Sequence, residues 1–341
     1  MAFASVKETI KEAPAFTQLT DLAAERLGGK VLYATDDFFA EKENLIKPGR
    51  GIFITDKYTD RGKWMDGWES RRKRVPGHDW AVVQLATPGR ITGFDIDTNF
   101  FMGNHPPQAS IEAAYINDAH LITDWDNVEW KEILTKSHLD AGSQNFYESN
   151  SNELFTHIRL HIYPDGGVAR LRVYGEVFKN WNAVSANEEV DLVAAINGGK
   201  AIACNDMFFS AMGNLIMPGR GVNMGDGWET RRNRTPGNRD WVILKLAKTG
   251  MIDRIMVDTC HFKGNYPDTC SIEACTAGKD EDVINDKAPW QMILPAQKLS
   301  ADHEHEFVGE INKHTGVTHV RLNIFPDGGI SRLRLFGKIV K

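Results

Sequence analysis

The chain has 341 residues, and at about 100–200 residues per domain this length fits two domains better than one. Its 40 Lys and Arg residues stand against 46 Asp and Glu residues, and the net charge of −6 argues against a strongly basic nucleic-acid-binding protein. No apolar run approaches the roughly 18–20 residues of a transmembrane helix, and the N-terminal sequence lacks the apolar core of a signal peptide. We therefore expect no membrane association and a cytoplasmic location.

The first half of the chain begins with a short helical signal and continues with strand patterns. Thr20 is placed to cap a helix that stops at Gly28-Gly29, and residues 80–86 (WAVVQLA) form an apolar run typical of a buried strand. Apolar and polar residues alternate in 156–163 (THIRLHIY), and the turn signal Pro164-Asp165-Gly166-Gly167 follows. Many short strands separated by Gly and Pro turns predict an all-β sandwich.

The second half repeats this order. Ser185 and Glu188 form a capping-box pattern for a helix that stops at Asn197-Gly198-Gly199, and residues 241–247 (WVILKLA) predict the next buried strand.

Four sequence motifs occur twice, which identifies the chain as an internal duplication. Residues 66–74 (DGWESRRKR) recur at 226–234 (DGWETRRNR) with seven of nine positions identical. The other pairs are 44–51 with 214–221, 110–113 with 271–274, and 156–175 with 318–337. Between the PGRG and DGWE motifs the first copy has fourteen residues and the second has four, so the first copy carries a longer loop.

We predict two tandem jelly-roll β-sandwich domains of the same fold. In this organisation residues 1–19 are an N-terminal extension, 20–179 the first repeat, 180–189 a polar linker, and 190–341 the second repeat.

The four cysteines of the chain all lie in the second half, and none forms a CxxC pair. We predict partly buried free thiols at Cys204, Cys260, Cys270 and Cys275. The segment 302–306 (DHEHE) contains metal-binding residue types, but without a counterpart in the first half it favours a solvated acidic loop. No cofactor or metal site is predicted, although the sequence leaves a divalent metal open.

The DGWE motif concentrates charge around one tryptophan. Because unpaired buried charges are costly, Glu69, Arg71 and Arg72 belong to a loop or to a network of paired charges. Either the arginines bind an anionic ligand through their forked guanidinium groups, or they pin a structural loop. The motif alone leaves these two interpretations balanced.

A second motif places polar residues at the end of a strand. Asp97 ends an apolar run that leads into a Gly-Asn-x-Pro loop with Asn104 and His105, and the second copy has Tyr266 in place of His105. Loops held on a rigid sheet are common places for binding groups. His105 is a candidate general acid or base near neutral pH, or a turn histidine without a role.

The third motif, Pro-Asp-Gly-Gly-x-x-Arg, contains Asp165 and Arg170, but a tight hairpin alone accounts for its composition. The chain has no Walker loop, no Rossmann fingerprint, no His-Glu-x-x-His helix and no Gly-x-Ser-x-Gly elbow. The common cofactor and covalent-nucleophile chemistries are therefore not indicated.

The doubled motifs resemble those of the allantoicase family. The resemblance covers about residues 28–337 and rests on NLI-x-PGRG, DGWE-x-RR, Asp-Thr-x-x-Phe-x-Gly-Asn-x-Pro, SIEA and PDGG-x-x-R-x-R, each present twice. It implies hydrolysis of allantoate to ureidoglycolate and urea in allantoin degradation. It also implies two jelly-roll domains of the galactose-binding type.

Allantoate carries one carboxylate and two ureido groups, so the resemblance divides the candidate residues into proton-transfer and binding groups. The candidates for proton transfer are Glu69, Asp97 and His105. The candidates for substrate binding are Trp68, Arg71, Arg72, Asn104, Asp165 and Arg170. Their counterparts in the second copy are Glu229, Arg231, Arg232, Asp258, Asn265 and Arg332.

Two alternatives stand beside this interpretation. The sandwich domains can bind sugars without chemistry, because a fold by itself does not determine function. Alternatively, one copy catalyses and the other is a structural or oligomer-forming domain, which the unequal loops and the His105/Tyr266 difference suggest. The sequence leaves open whether the chain forms a homo-oligomer.

Overall fold

The computed structural model describes residues 12–341, and the chain divides into two units, 1–178 (domain 1) and 179–341 (domain 2). The regular secondary structure of both is mostly β-strand, so the prediction of an all-β chain with two sandwich domains is confirmed.

The strands of domain 1 are β1 (Thr20–Asp21), β2 (Lys30–Ala34), β3 (Tyr58–Thr59), β4 (Gly62–Lys63), β5 (Trp68–Glu69), β6 (Asp79–Asp97), β7 (Gln108–Ala114), β8 (Lys131–His138), β9 (Phe146–Glu148), β10 (Leu154–Tyr163), β11 (Gly167–Val168) and β12 (Arg170–Val177). Its short 3-10 helices are Ala15–Gln18, Glu25–Leu27, Lys42–Ile46, Ala119–Leu121 and Trp125–Asn127.

The strands of domain 2 are β13 (Val190–Asp191), β14 (Lys200–Cys204), β15 (Trp228–Glu229), β16 (Asp240–Asp258), β17 (Thr269–Cys275), β18 (Gln291–Lys298), β19 (Glu304–Phe307), β20 (Val317–Phe325), β21 (Gly329–Ile330) and β22 (Arg332–Ile339). Helix α1 spans Asp280–Ile284, and the 3-10 helices are Trp181–Ala183, Ala195–Asn197, Met212–Ile216 and Met224–Asp226.

The longest element of domain 1 is the 19-residue strand β6. Its first part, from Asp79 to Gln84, pairs with β2 and β10, and its last part, from Gly89 to Asp97, pairs with β12. Gly89 lies where the pairing with β10 shifts register, and a Cβ atom there would come within 2.6 Å of the Leu22 side chain. The two parts of β6 thus pair with different strands, and Asp97 lies at the end of the second part.

Domain 2 repeats this arrangement in β16, which also has 19 residues. It pairs with β14 and β20 in its first part and with β22 and β19 in its last part, and it ends at Asp258.

The core of domain 1 contains the apolar face predicted for residues 156–163. Ile158, Leu160 and Ile162 are fully buried, which confirms the alternation that the sequence indicates. His157 and His161 on the other face are also buried, at 2% and 7% exposure, so this part of the sheet is covered on both sides.

The predicted opening helices are wrong. Thr20–Asp21 is a strand paired with β12, and between this strand and Gly28 the only helix is the 3-10 helix Glu25–Leu27. The Asp21 carboxylate accepts hydrogen bonds from the Val173 and Ala23 N–H groups, so strand pairing outcompetes helix formation here. The stop signal is nevertheless correct, because Gly28 has a positive φ of 110° that suits glycine.

The corresponding helix of domain 2 is wrong for the same reason. Val190–Asp191 pairs with β22, and the 3-10 helix Ala195–Asn197 ends at Gly198, whose φ is 102°. The Ser185 N–H does donate to Glu188, as in a capping box, but no helix begins at this position.

All four cysteines are free, and Cys260, Cys270 and Cys275 are buried. Burial raises the pKa of the Cys270 thiol to about 12, so this side chain behaves as a small apolar residue. In the described part of the chain, no helix is long and apolar enough to cross a membrane.

A buried carboxyl in β6 distinguishes domain 1 from domain 2. Asp95 is 2% exposed and accepts a hydrogen bond from Gln144 Nε2 at 2.6 Å, whereas the corresponding residue of β16 is Met256. Burial raises the pKa of Asp95 to about 7. The native state therefore holds a proton that the unfolded chain releases near pH 4, and native stability falls as the pH rises from about 4 to about 7.

Replacement of Asp95 by Asn is expected to remove this pH dependence and to stabilise the chain above pH 7 by roughly 1–4 kcal/mol. Asn keeps an acceptor for Gln144 and never ionises. The check is denaturant unfolding at pH 5 and pH 8 for the variant, the wild type and Asp253→Asn, which alters an exposed aspartate of β16. Equal pH dependence in all three proteins contradicts the prediction.

Candidate functional site

Three sequence motifs meet around Glu69 in domain 1. Glu69 lies in β5, which pairs with β11 so that Gly167 stands opposite it. The Gly167 N–H donates to the Asn104 carbonyl at 2.8 Å, and a Cβ atom on Gly166, whose φ is 139°, would approach the same carbonyl to 2.6 Å. The tight PDGG turn thus holds the Gly-Asn-x-Pro loop against the DGWE segment.

Glu69 and Asn104 form a polar pair within this arrangement. Asn104 Nδ2 donates to Glu69 Oε1 at 2.7 Å, and in domain 2 Asn265 Nδ2 donates to Glu229 Oε1 at 2.5 Å. Burial raises the pKa of the half-buried Glu69 carboxyl, against the opposing effect of the Asn104 hydrogen bond. A carboxyl with a raised pKa at a cavity wall is a candidate proton-transfer group.

Each domain has a cavity at these motifs. The cavity of domain 1 has a volume of about 420 Å³ and is lined by Glu69, Asn104, Arg61, Lys63, Phe39, Phe53, Met65, Phe100 and Met102. The cavity of domain 2 has a volume of about 580 Å³, and its lining includes Glu229, Arg232, Asn265, Tyr266 and Asp327. Both volumes fall within the range of about 300–1,000 Å³ that is common for small-molecule sites.

Asp97, a candidate for proton transfer, is buried in an ion pair. Arg50 Nε and Nη2 donate to its two carboxylate oxygens at 2.9 and 3.1 Å, and the Asn99 N–H donates to Oδ1 at 2.9 Å. Asp258 is bound in the same way by Arg220, at 3.1 Å for both bonds. Through this ion pair Asp97 holds the PGRG loop in place. The contacts of Asp97 therefore favour a structural role over direct proton transfer.

Arg170, predicted to bind substrate, is instead part of the interior. Its side chain is 4% exposed, and Nη2 lies 2.7 Å from Asp66 Oδ2. Arg332 and Asp226 form the same pair at 2.8 Å in domain 2. A buried carboxylate already pairs with each guanidinium, so the contacts seen for Arg170 and Arg332 are structural, and substrate binding by them stays a prediction.

Trp68 does not lie at a cavity wall, where the sequence interpretation places it. It is fully buried rather than exposed at a cavity wall, and its Nε1 donates to the Asp36 carbonyl at 2.8 Å. Trp228 donates to Asp206 in the same way. A side chain without exposed surface packs in the core and does not contact a bound ligand.

Arg71 lies outside the cavity in an exposed ion pair with Asp36. Its Nε donates to Asp36 Oδ2 at 2.7 Å and its N–H donates to Oδ1 at 2.9 Å. Partial burial works against ionisation of Asp36, but the hydrogen bonds from Arg71 outweigh it and lower the pKa of Asp36. Arg231 and Asp206 repeat the pair, which supports the structural interpretation of this part of the motif.

The remaining predicted residues lie along the same loops. Asp165 accepts a hydrogen bond from the Lys73 N–H at 2.8 Å and so braces the segment after the DGWE motif. Arg72 is exposed. His105 is half-buried, and its Nδ1 has no hydrogen-bond partner among the described residues. Of the predicted residues, Glu69 and Asn104 line the cavity of domain 1, whereas Arg72 and His105 are not among its lining residues.

The sequence interpretation missed the partners of these groups. Arg50 and Arg220 belong to the repeated PGRG motif, and the presence of this arginine in both copies could have identified it as a partner of the site. Asp36 and Asp206 lie outside every motif that was singled out, so nothing local identified them.

The acidic segment 302–306 is not a free loop, since Glu304–Phe307 forms β19 and pairs with β16. Within residues 12–341, no group of three or more His, Cys, Asp or Glu side chains is arranged to hold a metal ion.

Comparison with known proteins gives one consistent result. The family model "Allantoicase repeat" matches residues 20–178 and again residues 190–340. The chain is 51% identical over 328 residues to a "Probable allantoicase" of Pseudomonas fluorescens, covering 96% of this chain and 98% of the relative. It is 52% identical over 330 residues to a "Probable allantoicase" of Photobacterium profundum, covering 96% of this chain and 99% of the relative.

A solved structure agrees with these sequence matches. The crystal structure of allantoicase from Saccharomyces cerevisiae superposes with a TM-score of 0.81 at 37% identity, over 93% of this chain and 92% of that chain. With two matched repeats and relatives about half identical along their whole length, this chain belongs to the allantoicase family.

Proposed function

We propose that this chain is an allantoate amidinohydrolase that hydrolyses allantoate to ureidoglycolate and urea in purine degradation. Family membership supports this function. The structural observation that supports it most is the half-buried Glu69 carboxyl, which accepts a hydrogen bond from Asn104 at the wall of a cavity large enough for a small molecule. In the reaction one C–N bond to a ureido group breaks, water supplies the hydroxyl that replaces it, and the departing nitrogen gains a proton.

Glu69 is the proposed proton-transfer residue for this step. Its raised pKa allows a fraction of the carboxyl to stay protonated above the ordinary range, so the group can protonate the leaving nitrogen and then accept a proton from water. Asn104 orients the carboxyl and keeps its second N–H bond for a ureido carbonyl. His105 is proposed as a second proton-transfer group, and Arg72 as a binding group.

Asp97 acts in this proposal as a positioning residue. Its ion pair with Arg50 ties the end of β6 to the PGRG loop, next to the Gly-Asn-x-Pro loop that carries Asn104. Asp165 and Arg170 hold the DGWE segment through their contacts with Lys73 and Asp66.

The proposal also includes the cellular setting. Four free cysteines are compatible with a reducing, cytoplasmic compartment. The expected partner is the small-molecule substrate, with no role for nucleic acid or membrane. Assembly into a homo-oligomer remains a proposal to be tested by the mass in solution.

The first experiment is urea release from allantoate by the purified protein, with and without a chelator. Release in both conditions supports metal-independent hydrolysis. Release only without the chelator supports hydrolysis with a required metal and directs attention to the carboxylate and histidine side chains. Absence of release from folded protein, even after addition of divalent metals, contradicts the proposed activity and favours a binding function.

A further inference from the structure

Domain 1 carries a hairpin that domain 2 lacks. It lies within the fourteen residues that separate the PGRG and DGWE motifs in domain 1, where domain 2 has four. The hairpin consists of β3 and β4, with Tyr58 paired to Lys63 and Thr59 to Gly62. Its sequence contains Arg61 and Lys63, whereas residues 222–225 of domain 2 (VNMG) contain no cation.

The two cations of the hairpin are held in defined positions. Arg61 Nη1 donates to the Phe38 carbonyl at 3.1 Å, and its guanidinium lies 5.2 Å from the centre of the Phe38 ring. Lys63 Nζ donates to the Thr55 carbonyl at 2.9 Å and lies 4.6 Å from the centre of the Phe53 ring. These contacts fix the side chains but use only part of their donor capacity.

Both cations line the cavity that contains Glu69 and Asn104. Within residues 12–341 the contacts of Arg61 and Lys63 are with backbone carbonyls and aromatic rings rather than with a carboxylate. The other walls include the aromatic rings of Phe39, Phe53 and Phe100. Two positive charges in a partly apolar cavity attract an anion, and guanidinium and ammonium groups are common partners of carboxylates.

The cavity of domain 2 is built differently at the corresponding place. Its short loop brings Met224 Sδ to 3.7 Å from Asn265 Nδ2, so a thioether lies beside the amide. Its cations, Arg232 and Arg234, belong to the segment after the DGWE motif, which domain 1 also has as Arg72 and Arg74. The hairpin pair is therefore a difference between the two cavities.

We propose that Arg61 and Lys63 form the carboxylate-binding subsite of domain 1, and that the cavity of domain 1 is consequently where substrate is turned over. This inference rests on the function proposed above and specifies its substrate contacts. The carboxylate of allantoate binds to the hairpin, while its ureido groups lie toward Asn104 and Glu69. Domain 2 keeps the shared loop framework without this subsite.

The test is the kinetics of allantoate hydrolysis by Arg61→Met, Lys63→Met and Lys63→Arg. Loss of one charge-assisted hydrogen bond is expected to raise KM by about 10–100-fold with kcat changed much less, and Lys63→Arg is expected to restore most of the lost affinity. The matched control is Lys57→Met, at the residue directly before the hairpin. Lys57 Nζ lies 3.7 Å from the centre of the Trp64 ring, and Lys57 does not line this cavity.

The outcomes separate this inference from the proposed function. A KM that stays at the wild-type value in Arg61→Met and Lys63→Met overturns the subsite, and so does an equal rise in Lys57→Met. If the wild type releases no urea, calorimetric titration with allantoate still decides the matter. Binding that is lost in Lys63→Met supports the subsite without turnover, and binding that persists in both variants overturns it.

Discussion

Replacement of Glu69 by Gln is expected to lower kcat for allantoate by about 10²–10⁴-fold, the usual contribution of one general acid or base. Gln has nearly the same shape and still accepts the hydrogen bond that Asn104 donates, so the loops keep their positions. What the variant loses is the exchangeable proton. Steady-state measurement of urea release, with circular dichroism to verify the fold, provides the check.

The pH profile makes the Glu69 prediction more specific. Burial raises the pKa of Glu69, so the wild-type rate should change with pH above the ordinary range of a glutamate, and this change should be missing in the variant. Glu229→Gln is the matched comparison, because Asn265 holds Glu229 as Asn104 holds Glu69. Equal losses of kcat in the two variants contradict turnover in domain 1 alone, and a Glu69→Gln variant with wild-type kcat contradicts the proposed role.

Replacement of Arg170 by Met is expected to lower the free energy of unfolding of domain 1 by about 3–5 kcal/mol, the usual cost of removing one partner from a buried ion pair. Arg170 and Asp66 are 4% and 10% exposed, so the variant leaves the Asp66 carboxylate in the interior with the Ile52 N–H as a remaining donor. Denaturant unfolding followed by tryptophan fluorescence measures the loss.

Two further variants control this stability experiment. Arg71→Met removes an ion pair whose arginine side chain is 63% exposed, and the expected loss is about 1 kcal/mol or less. The double variant Asp66→Asn with Arg170→Met removes both charges and should recover part of the loss of the single variant. If Arg71→Met destabilises the chain as much as Arg170→Met, burial is not the cause and the explanation fails.

The sequence predicted the fold well wherever its signal was repeated or periodic. The runs 80–86 and 241–247 lie within β6 and β16, and the two copies supported each other. The opening helices failed because the decisive hydrogen bond joins Asp21 to Val173, which lies 152 residues away in the chain. Local propensity contains no information about such a partner.

The structure brings three of the sequence motifs together around Glu69, while the roles of the individual candidate residues stay predictions. Charged residue types indicated both binding and structural roles, and only the fold decides which carboxylate each arginine contacts. The partner of Arg71 lies 35 residues away and that of Arg170 lies 104 residues away. The extra length of the first copy was visible in the sequence, but a hairpin beside Glu69 was not, because no pattern indicates which cavity a loop borders.

The length of the strands β6 and β16 determines where their last residues, Asp97 and Asp258, lie relative to the core. A strand rises about 3.3 Å per residue and alternates its faces, so one inserted residue between Gly89 and Asp97 would turn Asp97 away from Arg50. Both strands keep 19 residues, while the neighbouring loops differ in length by ten. The difference in length between the PGRG and DGWE motifs is therefore taken up by a loop, which can acquire new contacts without moving the strands that hold it.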